Sequence, residues 1–220
     1  MSSDVKPRRR YDSTRRRAQA AQTREAVVEA ARVLFLADGY GQTTIGSIAE
    51  AAGVSVETIY KAFGGKPGLV RAMVSKGLEG AGAVPAEQRS DAMQAAERDP
   101  RAVIRNWTRL AMEVAPRIAP IALLIRSAAG TDPEMADLLV EVDDQRLRRM
   151  EQNARTLYER GDLRPGITLE QARDVLWTSS SPELYELLVL RRGWSMDRFA
   201  AFEADLMIAA LLPPEAPPED

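Results

Sequence analysis

The side chains best suited to chemistry lie between Thr43 and Lys66, in the run TTIGSIAEAAGVSVETIYKAFGGK. Ser55, Glu57, Thr58 and Lys61 are hydrogen-bonding residues at helical spacing, with Val56 among them, and Thr44, Tyr60 and Lys66 flank the group. A helix opening at Ser55 would present the first set in the turns that enter a major groove, and the flanking three would lie where a phosphate backbone passes. That chemistry is recognition: hydrogen bonds to base edges and neutralisation of phosphates. Bond-making chemistry has little to work with. The 220 residues include no His and no Cys, which excludes imidazole acid–base catalysis, Ser-His-Asp and Cys-His triads, thiolate nucleophiles, disulfides and ordinary zinc sites. Adjacent carboxylates such as Asp143 and Asp144 diverge by about 100° on a helix and do not converge on one site. No catalytic residue, cofactor or metal is expected.

The formal net charge of −2 conceals an asymmetry. Residues 1–76 hold 13 basic and 7 acidic side chains, and the remainder 17 and 25. A basic surface suited to a polyanion therefore precedes an acidic part with a different task. Lys6 to Arg17 alone contribute seven positive charges. Residues 1–22 read as a disordered basic arm, a state compatible with phosphate binding or minor-groove insertion. No apolar run approaches the length of a membrane span, and the basic start is not followed by the apolar core of a signal peptide, so a soluble intracellular protein with no membrane partner is expected.

The elements that must position these residues are helices. Ala, Leu, Arg and Glu dominate, alternating β-branched runs are missing, and Gly or Pro recurs at helix-length intervals. A first helix is expected from Thr23, as N-cap, to just before Gly39, with Val27, Ala31, Leu34 and Phe35 on one face. Helices over 44–52 and 55–63 follow, joined by Gly53 and Val54, and a fourth runs from Lys66-Pro67 to about Leu78. Two short helices with a glycine turn form the helix-turn-helix arrangement. The same geometry also occurs in proteins that never meet DNA. Residues 80–90, with Gly80, Gly82 and Pro85, read as a loop between two domains, 23–78 and 79–212. In the second, helices are expected near 100–115, 118–129, 133–160, 168–191 and 195–212, with a break or kink at Pro116. The Pro-rich segment 213–220 reads as a disordered tail.

The run from Thr23 to about Ser75 also resembles the DNA-binding domain of TetR-type transcriptional repressors. The likeness rests on Leu34-Phe35, Gly39-Tyr40, Thr43-Thr44-Ile45, Ile48-Ala49, Ala52-Gly53-Val54-Ser55, Thr58-Ile59-Tyr60, Phe63, Lys66 and Leu69. It implies an all-α protein with a three-helix N-terminal helix-turn-helix domain and a larger C-terminal helical bundle. It further implies a homodimeric, ligand-responsive repressor in a bacterial cytoplasm, bound to an inverted-repeat operator of double-stranded DNA. Carried over residue by residue, the likeness assigns Ser55, Val56, Glu57, Thr58 and Lys61 to the recognition helix and Thr44, Tyr60 and Lys66 to backbone contacts. Many relatives have Lys-Gly or Arg-Gly where this chain has Val56-Glu57, so a carboxylate here faces cytosine amino groups or points away from phosphates. Gly64-Gly65 loosens the turn before the fourth helix.

The C-terminal part is similar to the family mainly in layout. The stretch Leu176 to Tyr185, followed by Arg192-Gly193-Trp194-Ser195, is similar to a signature of one TetR-type branch and falls where two dimer-forming helices would lie. The dimer interface is thereby expected at Leu184, Leu188, Phe199, Phe202 and Leu206. Trp107, Met112, Ile121, Leu124, Met150 and Trp177 could line a pocket for a small lipophilic or aromatic effector, with Arg126 as an anchor for a carboxylate. Each of these is also what an ordinary core residue, or a snorkelling arginine, looks like in sequence. Two other classes remain open on residues alone: a helical adaptor whose arm meets anionic membrane or protein, and a helical enzyme.

Overall fold

The computed structural model describes residues 11–214; residues 1–10 of the expected arm and 215–220 of the expected tail lie outside the described residues. Every element among the described residues is helical, and none of the helices is long and apolar enough to cross a membrane. The chain divides into two compact units, Met1–Met73 and Val74–Asp220.

In the N-terminal unit, α1 spans Tyr11–Gln42, α2 Ile45–Ala52 and α3 Val56–Phe63, and α4 starts at Lys66 and continues to Glu79 in the second unit. The helix is already under way at Tyr11, so Thr23 does not cap it; the Thr23 hydroxyl donates instead to the Gln19 carbonyl one turn back. Residues 11–22 of the expected arm are therefore helical, with Arg15, Arg16 and Arg17 exposed. Gly39 breaks the helix with φ 82° and ψ 163°. Beyond it Thr43 is buried, its hydroxyl donating to the Leu34 and Gly39 carbonyls. Val27, Ala31, Phe35, Ile48, Ala49, Ile59 and Leu69 are buried, each large one contributing on the order of 1.5–3 kcal/mol. Phe35 stacks on Tyr40 with ring centroids 5.5 Å apart. Leu34, expected on that face, is only half-buried.

The turn between α2 and α3 depends on Gly53, which sits in the left-handed region at φ 66° and donates to the Ala49 and Glu50 carbonyls, ending α2. The turn between α3 and α4 depends on a different glycine property. A Cβ on Gly68 would fall 1.7 Å from the Phe63 carbonyl oxygen, so the first turn of α4 can approach the end of α3 only without a side chain there.

The C-terminal unit contains α5 (Ala86–Ala96), α6 (Pro100–Ala129), α7 (Pro133–Arg160), α8 (Leu169–Ser179), α9 (Pro182–Tyr185) with a π-helical continuation Glu186–Arg191, and α10 (Met196–Leu211). α6 packs against α5, α7, α9 and α10, and α8 against α7 and α10. Three expectations are corrected. Residues 86–90 open a helix, because Pro85 ends the loop and α5 buries Ala86, Ser90 and Gln94, a stripe too polar to show apolar periodicity. Pro116 does not end α6, which also contains Pro120. Buried Val103, Ile104 and Trp107 before these prolines and Ile121, Ala122 and Ile125 after them outweigh a cost of about 3 kcal/mol per proline. The segment 168–191 is not one helix: it stops at Ser180, and Ser181 caps a new one with Pro182 at its first position.

Gly68→Ala should lower the stability of the N-terminal unit by more than about 1 kcal/mol, although Gly to Ala inside an unconstrained helix gains about that much. Chemical denaturation followed by circular dichroism reads the effect, and a gain in stability would contradict the close approach to Phe63.

Candidate nucleic-acid interface and an apolar cavity

α3 is held at both ends. Its N-cap Ser55 accepts from the Thr58 amide at 3.2 Å, and the Ser55 and Thr58 hydroxyls are 2.9 Å apart. This cap satisfies one of the free N–H groups of the first turn, and Glu57 lies favourably at the positive end of the helix dipole. At the other end the Arg24 guanidinium donates to the Ala62 carbonyl at 3.1 Å and lies 4.3 Å over the Phe63 ring. A cation on the last carbonyls of a helix is stabilising on the same electrostatic ground. α2 is fixed by a capping box in which Thr44 and Ser47 exchange side-chain and backbone hydrogen bonds.

With Ile59 fully buried, the opposite face of α3 is turned outward. Val56 and Tyr60 are large apolar or aromatic groups left 42% and 54% exposed, and Glu57, Thr58 and Lys61 are exposed beside them. Thr44 and Ser55 are exposed at the starts of the two helices. Lys66 is half-buried; its ammonium donates to the Tyr40 carbonyl at 2.5 Å and lies 4.2 Å over the Tyr40 ring. Phe63 is half-buried rather than fully inside. The bracing role of Arg24 was hidden in the sequence, since its partners lie 38 residues away.

The C-terminal unit contains a mainly apolar, partly open cavity of about 450 Å³. It lies between two apolar clusters, one around Ile104, Leu157 and Leu176, the other around Ala119, Tyr185 and Phe199. Val74 and Leu78 of α4 form part of its wall. Of the residues expected to line a pocket, Trp107, Met112 and Met150 do so. Ile121 is buried away from it, and Leu124, Arg126 and Trp177 are not on its wall. Arg126 is paired with Glu183 and, at 3.4 Å, with Asp143. Trp177 lies under the Arg146 guanidinium, 4.5 Å from ring centroid to carbon.

Sequence reasoning missed the polar groups of the wall. Trp107 Nε1, Arg149 Nη2 and Asn153 Oδ1 are buried there without a hydrogen-bond partner. Glu203 of α10 is 3% exposed, and burial pushes its carboxyl up to about 8. A buried carboxyl in an apolar wall is unusual because ionising it there forfeits hydration. The residues expected at a dimer interface separate. Phe199 is 1% exposed, edge-on to Tyr185 at 6.0 Å and on the cavity wall, so it is not available to a partner. Leu184 and Leu188 are half-buried against the same cluster. Phe202 and Leu206 are exposed, as are Leu187 and Leu190. The π-helical turn, with its i→i+5 bonds, rotates the chain away from the α-helical register and brings these last two outward.

Residues 27–73 match the family model described as bacterial regulatory proteins, tetR family. No curated protein sequence matches the chain. Among solved structures, it is similar to the SmeT–triclosan complex, at 22% identity and a TM-score of 0.68, over 90% of this chain and 100% of that one. It is also similar to native NalD, the secondary repressor of the MexAB-OprM multidrug efflux pump in Pseudomonas aeruginosa, at 22% identity and a TM-score of 0.68, over 88% and 98%. A protein from Saccharomonospora viridis in complex with choline is similar at 20% identity and a TM-score of 0.65, over 88% and 100%. These likenesses extend the fold beyond the matched domain to both units.

The Glu203 carboxyl keeps its proton to about 8 when folded, whereas an unfolded carboxyl ionises near 4.5. The unfolded state thus loses its proton first, and stability falls as pH rises from about 4.5 to about 8, then levels. Glu203→Gln should therefore stabilise the C-terminal unit by ~3–5 kcal/mol above pH 8 and by little at pH 4. Denaturant titrations at the two pH values measure this; an effect independent of pH would contradict the burial argument.

Proposed function

We propose that this chain is a homodimeric repressor, released from an inverted-repeat operator when a small lipophilic molecule occupies the cavity; the match of residues 27–73 to the model of the bacterial tetR regulatory proteins supports this reading. The observation that carries this reading is the combination of an outward row on a doubly braced α3 with an apolar cavity, both involving α4. The first turn of α4 is tied to the reading unit through Lys66 and Tyr40, and its later residues Val74 and Leu78 line the cavity. A ligand that repositions the end of α4 in one dimer state more favourably than in the other shifts the population between them.

In this account Ser55, Val56, Glu57, Thr58 and Lys61 face base edges. Val56 offers an apolar contact for a thymine methyl and Glu57 an acceptor for a cytosine amino group. Thr44, Tyr60 and Lys66 face phosphates, Lys66 with the ammonium donors that Tyr40 does not use. The two-fold face is formed by Phe202 and Leu206 of α10 with Leu187 and Leu190, all exposed in the single chain. A two-fold dimer places its α3 helices in successive major grooves roughly 34–36 Å apart, or a multiple of that. The proteins of the similar structures, a triclosan complex, a repressor of a multidrug efflux pump and a choline complex, fit a small-molecule effector.

Operator fragments selected from genomic DNA provide the test. Thr58→Ala or Lys61→Ala should cost ~1–3 kcal/mol at one or two base positions and relax preference there, while Lys66→Ala should weaken binding to every duplex and flatten its salt dependence. Replacing Phe202 and Leu206 together by Asp should give monomers in sedimentation that no longer distinguish an inverted repeat from a single half-site. Operator binding unaffected by the α3 changes would refute this placement of the reading head.

A further inference from the structure

The cavity has a chemical polarity that apolar walls alone do not require. On α10 the wall is made by Phe199, Glu203 and Met207, spaced one helical turn apart, so a carboxyl occupies the middle of what would otherwise be an apolar stripe. Glu203 is 3% exposed, and burial, with no hydrogen bond or charge among the described residues to offset it, is what raises its carboxyl. The other ionisable groups of the wall face opposite charges or solvent, although Arg149 keeps its Nη2 without a hydrogen-bond partner. Arg149 of α7 holds Asp91 at 2.7 Å and Glu87 of α5 at 3.5 Å, and Arg146 of α7 lies 3.5 Å from Asp143. Arg148 of α7 is exposed, and burial raises the Tyr185 phenol of α9 above its usual range, outside the neutral window. The α4 and α6 parts of the wall contain no ionisable side chain. A ligand carboxylate would thus meet arginines that already face carboxylates, whereas a ligand cation would meet a carboxyl that has no counter-ion. Trp107, Tyr185 and Phe199 add aromatic rings, whose faces attract cations.

We infer that the cavity takes lipophilic cations, amines or quaternary ammonium compounds, with Glu203 as the counter-ion of the cationic centre and the aromatic wall around the lipophilic body. This rests on the repressor reading only for its regulatory meaning; the binding chemistry stands on the cavity itself. Association of a permanent cation with Glu203 releases one proton to solvent, because the carboxyl, protonated to about pH 8 in the empty site, ionises as the cation arrives. Affinity for such a cation therefore rises with pH below about 8, by up to roughly tenfold per unit, and levels above it. The pairing also gives the otherwise uncompensated carboxyl a partner, which no neutral lipophile supplies.

The test uses the full chain and two probes of the same shape, benzyltrimethylammonium and its uncharged carbon isostere neopentylbenzene, with binding read by the change in tryptophan fluorescence, to which Trp107 on the wall contributes, and by calorimetry in buffers of different ionisation enthalpy. The cation-to-isostere affinity ratio should increase at least tenfold between pH 6 and pH 8.5, with proton release in the calorimeter, and should fall at least tenfold in Glu203→Gln at pH 8.5. A ratio that is independent of pH, or one that Glu203→Gln leaves unchanged, overturns the inference; so does failure of the cation to bind. Operator binding without any probe is measured on the same preparation. Its loss would count against the repressor reading, and its persistence beside an absent cation preference would overturn the cavity chemistry alone.

Discussion

One 14-residue helix has to satisfy two sets of contacts at once. At its start α4 approaches the Phe63 carbonyl so closely that Gly68 cannot bear a side chain, and Lys66 is bound to the Tyr40 carbonyl. Leu69, Val70 and Met73 are then buried in succession, and Val74 and Leu78 belong to the cavity wall. A helix in which most turns are committed has few ways to move independently of either end, because packed interiors offer discrete arrangements rather than a continuous range. In the proposed repressor, this is the physical basis on which occupation of the cavity would be felt at α3 without any contact between ligand and DNA.

The second constraint is electrostatic. α10 accepts a carboxyl on its inner face at a site where an apolar residue would make the fold more stable, the pattern expected when a site gives up stability for binding. The same wall leaves an indole N–H, a guanidinium N–H and an amide oxygen without protein partners. In an ordinary core such groups are paired, since each one buried alone costs about 1–3 kcal/mol. The three on this wall distinguish the cavity from a packing defect, whose walls would be apolar throughout. At the N-terminal end of the molecule the polar groups are partnered instead: Ser55 and Arg24 hold α3 and the Thr44–Ser47 box holds α2, while Val56, Glu57, Tyr60 and Lys61 are exposed beside them.

The N-terminal unit was readable because its positions are dictated by local rules. Thr44 and Ser55 are caps, Gly53 needs the left-handed region, and Ile48 and Ile59 keep helical spacing with the first helix, so sequence and structure agree at these positions, whereas Thr23 lies inside a helix already begun at Tyr11 and Leu34 and Phe63 are only half-buried. In the C-terminal unit the local signals pointed elsewhere. α5 buries Ala86, Ser90 and Gln94, which have no hydrophobic signature, and α6 passes through two prolines because its burial on both sides prevails. The apolar residues of α10 suggested a stripe of Phe199, Phe202 and Leu206, yet the buried face runs through Phe199, Glu203, Ala204, Met207 and Leu211. A carboxyl on the inner face concealed that face from any reading based on hydrophobicity, and the π-helical turn before it shifted the register of the leucines. The group that most defines the cavity was thus the one that sequence patterns assign to solvent.

The claim that cavity and reading head share one equilibrium is tested most directly by reciprocity. The affinity of a neutral lipophilic fluorophore, N-phenyl-1-naphthylamine, would be measured on the full chain with and without saturating operator duplex. Linkage requires operator to weaken probe binding by the same factor by which the probe weakens operator binding, typically ~5–150-fold for a coupled pair of sites. The account predicts such a matched loss. Equal probe affinities for the free and the operator-bound protein would contradict it.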